Sequence, residues 1–551
     1  MPRPGQLGGK ALLLAALVAT ACAPRNDAAN GVLVVEESQQ ASSFIRNFNP
    51  LLEVGDVRWP TLHAMYEPLL IYNPLGGKYV PWLAEHHEWA DGGHVLRFQV
   101  RAGVRWSDGT PFGAADVVFT FELLRKFPAL DTRAIWQYLD AVTSPDPTTV
   151  EFKLKRVYSP ALFYVSQLPI VPAHVWKDVA DPVTFTNESP VATGPFTEVI
   201  SFEPQAYQVG PNPYYWQGKP AIKAVRCMAL PANDQSIISL LRNDLDWAGS
   251  FVPAVERIYV GEDPEHHHYW SPPIDGTVLL YPNNTRKPLD DVRVRKAISM
   301  AIDRDLMVKV AMYGYTRPAD ATALSDAYNN YRYQPAVDAG TWVLHDVAGA
   351  ERLLDEAGLR RGAGGLRRMP DGAPLHFDIG VPVGWSDWIR ATQVIVRSLR
   401  GIGVDARVQA IDFDAWFDSL QQGTYDMALG WTEVNPSPYG LYRHLMSTET
   451  LHPVGEAAAE NWHRFGLPAA DKLLAQVELA TSFEQEKPLI DQLQMLFVEN
   501  APAIPLFPGP LWGEYSSRDF VGFPDADNPY APLSPHWHPQ SLLVLTKVKP
   551  R

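Results

Sequence analysis

In the first third of the chain, apolar and polar residues alternate in short segments. Val95 to Val100 and Thr148 to Leu154 both alternate in period two, which predicts strands with one buried face. Asp108-Gly109 is a turn dipeptide between them. Thr110-Pro111 then supplies a cap and a first-turn proline before apolar positions that recur at helical spacing from Val117 onward, so a helix is predicted to begin there. This stretch predicts a small α+β unit.

Beyond about residue 286 the apolar positions recur mainly at helical spacing. Asp290 or Asp291 can cap one amphipathic run, and a second run begins at Asp346. Between helices, residues 375–381 and 404–411 are apolar runs typical of strands, which predicts a βαβ arrangement. The 551 residues exceed what one hydrophobic core holds, so we expect an α/β protein of two or three sub-domains.

The N-terminus has the pattern of a secretory signal. Two basic residues precede the apolar run 11–19, and small residues lead to Cys22. We predict a lipoprotein signal peptide over residues 1–21 and attachment to the membrane through lipid on Cys22; ordinary cleavage that leaves a free thiol is the alternative. Residues 22–31 lack an apolar period and predict a flexible tether. No other uncharged run approaches the roughly 20 residues of a membrane-spanning helix.

Charge and cysteine content narrow the range of partners. The chain carries 62 acidic and 47 basic residues, a formal net charge of −15 with neutral histidines. A surface of this sign argues against nucleic acid as a partner. The sequence contains two cysteines, so lipidation of Cys22 leaves Cys227 without an intramolecular partner. Cys227 lies in an alternating apolar run, which favours a buried structural thiol over a nucleophile.

Five segments, in one order along the chain, resemble the family 5 extracellular solute-binding proteins of ABC importers. They are residues 79–119, which contain Tyr79-Val80-Pro81-Trp82 and Trp106-Ser107-Asp108-Gly109; Ala192-Thr193-Gly194-Pro195-Phe196; Asn212-Pro213-Tyr214-Tyr215-Trp216; the arginine-bearing run 292–304; and residues 350–358. Their physical roles are structural, since Gly194 permits a close chain crossing and the run 292–304 packs an apolar stripe. These motifs therefore identify a fold rather than a ligand.

The resemblance implies a two-lobed periplasmic-binding-protein architecture, type II and cluster C-like, with an extra inserted α+β sub-domain. Lobe I is expected to be discontinuous, sub-domain II to be inserted in it, and lobe III to be α/β. The expected bounds are 32–76, 194–285 and 502–551 for lobe I, 77–193 for sub-domain II and 286–501 for lobe III. The ligand is expected in the cleft between lobes I and III. The resemblance further implies an extracytoplasmic monomer that delivers a solute to ABC permease subunits in the cytoplasmic membrane.

In peptide receptors of this family, an aspartate shortly after a Gly-Trp pair holds the α-amino group of the peptide. The matching stretch here is Gly430-Trp431-Thr432-Glu433-Val434-Asn435, which places Val434 at the position of that aspartate. A buried ammonium needs a carboxylate partner, so the usual amine anchor is missing. Glu433 could replace it only if the loop follows a different path. We count Trp431, Glu433 and Asn435 as candidate ligand contacts.

Other aromatic residues gather in segments expected at the cleft. Trp385, Asp387 and Trp388 stand in a Gly-Trp-Ser-Asp-Trp segment that looks like the cello-oligosaccharide receptors of the family. Flat aromatic faces beside carboxylates and amides suit sugar rings, so an oligosaccharide is the favoured ligand and an oligopeptide the alternative. Each tryptophan could instead pack in the core. Further candidate contacts are Trp59, Trp247 and Trp512.

Two other classes of function compete with solute binding of this kind. His266-His267-His268 follows three acidic residues, and all are metal-ligand types, which would suit a nickel or other metal-complex receptor. Adjacent histidines point in different directions, so a solvated surface loop is the preferred interpretation. For a hydrolase, the sequence lacks a Gly-x-Ser-x-Gly elbow, a His-Glu-x-x-His pair and a phosphate loop. We predict no metal, no cofactor and no catalytic residue.

Overall fold

The computed structural model describes residues 27, 30–36, 43–52 and 61–551. Cys22, the predicted signal peptide and Trp59 lie outside these residues. Within the predicted tether, Asp27 forms an ion pair with Arg226 at 3.1 Å. None of the helices in the described residues has both the length and the apolarity that a membrane crossing requires.

The described residues form twenty strands and fifteen α-helices. The strands are β1 (Val32–Glu36), β2 (Leu70–Asn73), β3 (Lys78–Pro81), β4 (Ala84–Ala90), β5 (Val95–Val100), β6 (Leu139–Asp146), β7 (Thr149–Leu154), β8 (Phe196–Glu203), β9 (Ala206–Pro211), β10 (Ala224–Met228), β11 (Trp247–Ala248), β12 (His267–Tyr269), β13 (Thr277–Pro282), β14 (His376–Pro382), β15 (Asp405–Ile411), β16 (Met427–Gly430), β17 (Ile504–Pro508), β18 (Glu514–Ser516), β19 (Phe520–Val521) and β20 (Lys549–Pro550). The helices are α1 (Ala114–Lys126), α2 (Ala161–Ser166), α3 (Ala173–Trp176), α4 (Asn233–Leu241), α5 (Val255–Ile258), α6 (Val292–Ala301), α7 (Arg304–Val310), α8 (Gln334–Ala339), α9 (Val347–Glu356), α10 (Ser386–Gly401), α11 (Phe413–Gln422), α12 (Tyr439–Met446), α13 (Pro468–Val477), α14 (Phe483–Asn500) and α15 (Ser541–Leu545).

Lobe I is built on a seven-stranded sheet with the order β12-β18-β11-β1-β10-β9-β8. Strand β1 lies inside this sheet, where it pairs in parallel with β10 on one side and β11 on the other. All five residues of β1 are buried; the first four are the valines and leucine that suit a strand covered on both faces, and the fifth is Glu36. Cys227 of β10 is also fully buried, which confirms the prediction of a buried thiol.

Lobe III is built on a five-stranded sheet with the order β15-β14-β16-β13-β17. Strands β14 and β15 pair in parallel and α10 connects them, which confirms the predicted βαβ arrangement. The side chains of Asp291 and Asp346 cap α6 and α9, also as predicted. The lobe bounds were wrong at two points, because β13 and β17 lie in residues assigned to lobe I. Their antiparallel pairing places both in this sheet, so lobe III runs from residue 277 to residue 508.

Sub-domain II carries a four-stranded antiparallel sheet, β4-β5-β7-β6, against which α1 packs. The prediction that this helix begins at Thr110-Pro111 was wrong, since α1 begins at Ala114. The side chain of Asp116 fixes the position at which α1 begins. Its carboxylate accepts hydrogen bonds from the backbone N of Gly113 at 3.1 Å and from Trp106 Nε1 at 3.3 Å, which ties the first turn of the helix to the preceding loop.

Two arginines of the run 292–304 are buried, and they join α6 and α7 to residues 500–505, where β17 begins. Arg295 donates to three backbone carbonyl oxygens at 2.7 to 2.8 Å. Arg304 donates to the carbonyl oxygens of Pro505 and Val343, both at 2.7 Å, and to the carbonyl and hydroxyl oxygens of Ser299 at 3.0 and 2.7 Å. Burial lowers the pKa of Arg304 to about 9. The run 292–304 therefore contributes buried hydrogen bonds as well as the predicted apolar stripe.

The chain passes twice between lobes I and III, and the two passages run side by side. The backbone N of Trp270 donates to Gly513 O at 2.9 Å, and that of Gly509 donates to Gly276 O at 2.9 Å. A Cβ atom on Gly276 would lie 1.5 Å from a backbone oxygen of Thr432, so only glycine fits this contact. We call residues 270–276 and 509–513 the crossing ribbon.

The predicted close crossing at Gly194 is confirmed at the base of sub-domain II. A Cβ atom there would lie 2.2 Å from the backbone oxygen of Ala64, and the Gly194 N–H donates to Met65 O at 2.7 Å. The chain therefore returns from sub-domain II to lobe I in direct backbone contact with its outgoing segment.

Candidate ligand-binding site

Two loops bring tryptophans to one edge of the lobe III sheet. Trp385 follows β14 and Trp431 follows β16, and these two strands are parallel neighbours. The carboxyl ends of parallel strands meet at one edge of a sheet, where ligand sites of α/β folds form. The structure thus brings together three tryptophans that the sequence analysis selected, Trp385, Trp388 and Trp431.

The three rings pack on one another but differ in exposure. The ring centroids of Trp385 and Trp388 are 5.0 Å apart with an interplanar angle of 80°, and that of Trp431 lies 6.3 Å from Trp385. Trp388 is only 6% exposed, whereas Trp385 and Trp431 are half-buried. Trp388 therefore supports the group from below rather than offering a face, which corrects its assignment as a ligand contact. We call Trp385 and Trp431 the tryptophan platform.

Aromatic residues that the sequence analysis missed support the platform. Helix α11 contributes Phe413, Trp416 and Phe417, and Phe417 stacks on Trp431 at a centroid distance of 6.2 Å with an interplanar angle of 1°. Trp416 is fully buried and lies 5.5 Å from Trp431. The spacing of the three α11 residues at i, i+3 and i+4 was a signal that could have found them. Because packed rings support it, the platform has a fixed orientation.

The first turn of α10 contacts lobe I beside the platform. Asn233 Nδ2 donates to Asp387 Oδ1 and to Ser386 Oγ, both at 3.1 Å, and the Asn233 N–H donates to Gly384 O at 3.2 Å. Burial raises the pKa of Asp387 to about 6, and the hydrogen bond from Asn233 opposes that rise. Asp387 was predicted to contact ligand, but it is 5% exposed and joins the two lobes in this structure.

A second group of aromatic residues lies between lobes I and III, next to the crossing ribbon. The ring of Trp512 lies 5.4 Å from Phe251 and 5.6 Å from Tyr315. Arg390 of α10 lies over the rings of Phe251 and Tyr313, at 5.8 and 5.9 Å from their centroids. Trp512 was predicted from the sequence, and the other four residues of this group were not. Cations over aromatic rings stabilise such contacts, so lobe III meets lobe I here through cation–π packing.

The remaining predicted contacts lie in three different places. Trp247 is fully buried in β11, where its Nε1 donates to Leu533 O, so it belongs to the core and its assignment as a ligand platform was wrong. Glu433 is exposed on the loop after β16. Asn435, whose backbone N donates to Tyr328 Oη at 2.7 Å, lines a cavity between sub-domain II and lobe III.

The three adjacent histidines have separate partners. His266 contacts Asp263 at 2.9 Å, His267 Nδ1 donates to Tyr259 O at 2.9 Å, and His268 contacts a serine hydroxyl. His267 is 2% exposed and forms part of β12, so the prediction of a solvated loop was wrong for it. No group of three His, Cys, Asp or Glu side chains among the described residues is arranged to hold a metal ion.

The chain passes twice between two lobes. Aromatic rings and a group of hydrogen bonds lie where these lobes meet. Together these features define a two-lobed receptor. Residues 78–451, more than half of the chain, match the family described as "Bacterial extracellular solute-binding proteins, family 5 Middle". The chain belongs to this family, whose members are the substrate-binding components of ABC importers.

Similar proteins include receptors for different solutes. Protein XP55 of Streptomyces lividans is 30% identical over 391 residues, which cover 70% of this chain and 67% of that protein. The nickel-binding periplasmic protein of Escherichia coli strain K12 is 26% identical over 493 residues, which cover 85% of this chain and 87% of that protein. A mannohexaose-bound periplasmic oligopeptide-binding protein from Thermotoga maritima matches the structure with a TM-score of 0.87 at 25% identity, covering 95% of this chain and 99% of that chain.

Proposed function

We propose that this solute-binding protein captures a neutral oligosaccharide, with sugar rings stacked on the tryptophan platform. The observation that carries the proposal is the pair of half-buried rings, Trp385 and Trp431, beside the contact between lobes I and III. Aromatic faces bind the apolar faces of sugars, and nearby amides and carboxylates bind their hydroxyl groups. The mannohexaose bound to the Thermotoga maritima protein supports this ligand class.

The path of the loop after β16 supports a neutral ligand. Val434 occupies the position at which peptide receptors of the family carry an aspartate, and its side chain packs against the hydrophobic core. The side chain of Glu433, next to it, is exposed. An amine buried at this position would lack a carboxylate, which makes its burial costly. We infer that the protein binds and releases its ligand unchanged, as a monomer, and passes it to ABC permease subunits.

A calorimetric titration tests the ligand class. Mannohexaose and cello-oligosaccharides are expected to bind with affinities that change little between low and high salt, because a neutral ligand presents no charge for salt to screen. Free-amine peptides and Ni²⁺ are the comparison ligands. Tight binding of a free-amine peptide, lost when its amine is acetylated, would instead establish the peptide alternative and make Glu433 the displaced anchor.

We further propose that lipid on Cys22 holds the protein at the membrane, outside the cytoplasm. Two or more acyl chains anchor a protein far more firmly than one, so the anchored form should remain in the membrane fraction. Replacement of Cys22 by Ser removes the thiol that carries lipid and is expected to move the protein into the soluble fraction. Cys227→Ser, a change at the buried thiol, is the matched control. Wild-type protein found in the soluble fraction would contradict the anchor.

A further inference from the structure

A cavity of about 720 Å³ lies between sub-domain II and lobe III. Its volume falls within the range of about 300 to 1,000 Å³ that is usual for small-molecule sites. Aromatic rings from both sides line it. They are Tyr79, Trp89, Phe163 and Tyr164 of sub-domain II and Tyr331, Tyr439 and Phe483 of lobe III.

The two walls of the cavity are held together by specific contacts at its edge. Glu478 of lobe III forms an ion pair with Arg156 of sub-domain II, and its backbone oxygen accepts a hydrogen bond from the Ser159 N–H at 2.8 Å. Tyr439 Oη donates to the same carboxylate at 2.7 Å. The Glu478 side chain is 9% exposed, whereas that of Arg156 is 53% exposed, so the carboxylate is the buried half of this ion pair. The cavity is therefore a built space between two joined parts rather than a loose surface groove.

The chemistry of the walls selects a neutral, hydroxyl-rich ligand. Glu486 is the one charged side chain among the described residues that line the cavity, and its carboxylate already accepts a hydrogen bond from Tyr331 Oη at 2.6 Å. The side-chain amide of Asn435 makes no hydrogen bond within the described part of the chain, so it can donate to and accept from a ligand. Aromatic faces beside a free amide and a carboxylate that is already hydrogen-bonded by Tyr331 suit the faces and hydroxyl groups of a sugar.

The cavity also lies near the tryptophan platform. Asn435 is four residues beyond Trp431 on the same loop. Four residues of fully extended chain span at most about 14 Å, so the wall of the cavity begins within that distance of the platform. A single oligomer of several sugar units is long enough to contact both.

We propose that this cavity binds the distal units of a longer oligosaccharide, the other end of which stacks on Trp385 and Trp431. The inference rests on the proposed oligosaccharide ligand and adds a role in length selection for sub-domain II. Short saccharides would contact the platform alone, and longer ones would also contact the cavity. The preference of the protein for long ligands then depends on residues outside the cleft between lobes I and III.

Two exposed aromatic residues, one on each wall, allow a test with little risk to the fold. Trp89 is 38% exposed and Phe483 is 41% exposed, so Trp89→Ala and Phe483→Ala should leave the protein folded. Each is expected to weaken binding of a hexasaccharide on the order of 10-fold, by analogy with stacking on aromatic side chains, and to leave disaccharide binding unchanged. Tyr214→Ala, at a 48% exposed ring of lobe I, is the matched control and should change neither affinity.

The titration uses wild-type protein and the three variants with a disaccharide, a tetrasaccharide and a hexasaccharide of one sugar. Equal affinity of wild-type protein for all three lengths, or equal loss at all lengths in the variants, would overturn the role of the cavity while leaving the oligosaccharide function intact. Failure of wild-type protein to bind any of the saccharides would overturn the oligosaccharide function itself. Loss confined to the longer ligands in both variants would support the proposal.

Discussion

Replacement of Arg304 by alanine is expected to lower the free energy of unfolding by about 3 to 5 kcal/mol. The guanidinium is 4% exposed and donates four hydrogen bonds, to Pro505, Val343 and twice to Ser299. Alanine removes all four of these hydrogen bonds from buried oxygens and opens a cavity between α7 and β17. Equilibrium unfolding in urea, followed by tryptophan fluorescence, measures the loss.

Arg293 provides the matched control for Arg304 because it lies in the same run. Its side chain is 46% exposed and pairs with Asp291 at the start of α6. Exposed ion pairs contribute at most about 1 kcal/mol, so Arg293→Ala should change stability by no more than that. Similar losses for both variants would show that the buried hydrogen bonds of Arg304 contribute little. An Arg304→Met variant, which refills the volume, separates packing from hydrogen bonding.

Replacement of Trp385 by alanine is expected to weaken ligand binding by about 1 to 3 kcal/mol, or roughly 5- to 150-fold in Kd. Trp385 is half-buried, lies three residues after the end of β14, and is in contact with Trp388 and Trp431. Removal of the Trp385 ring takes away one face on which a sugar can stack and removes packing support from Trp431. Calorimetric titration of mannohexaose into the wild type and the variant measures the change.

Trp416 distinguishes a ligand contact from a core residue. It is fully buried beneath Trp431, so Trp416→Ala should cost about 3 to 5 kcal/mol of stability and lower the melting temperature with or without ligand. Trp385→Phe keeps a flat ring and should retain most of the affinity. If Trp385→Ala lowers the melting temperature as much as Trp416→Ala and leaves the Kd of the remaining folded protein unchanged, Trp385 is a core residue and the platform is wrongly assigned.

The sequence predicted the βαβ unit of lobe III because its signals are local. Caps at Asp291 and Asp346 and the apolar strands before and after α10 can be recognised within a few residues of chain. The bounds of the lobes could not be found in the same way. Whether β13 pairs with lobe I or lobe III depends on β16 and β17, which follow it by more than a hundred residues.

The candidate site was predictable to a similar degree. Trp385 and Trp431 stand out because each follows a strand, and parallel strands end at one edge. Exposure is a property of the folded neighbours, so the sequence could not separate half-buried Trp385 from buried Trp388 or Trp247. The cavity beside Asn435 was beyond sequence analysis, since its walls come from distant parts of the chain that meet only after folding.

The crossing ribbon fixes the order in which the lobes can be completed during synthesis. Lobe III is continuous between the two passages of the ribbon, so every strand of its sheet exists before the second passage is made. Lobe I differs because β18, near the end of the chain, lies between β12 and β11, and β12 joins the sheet only through it. Pairings over such long sequence separations form slowly. Lobe I, whose first strand is made early in synthesis, is therefore the last lobe to be completed. Its sheet is complete only when β18 is added, and by then lobe III can already be folded.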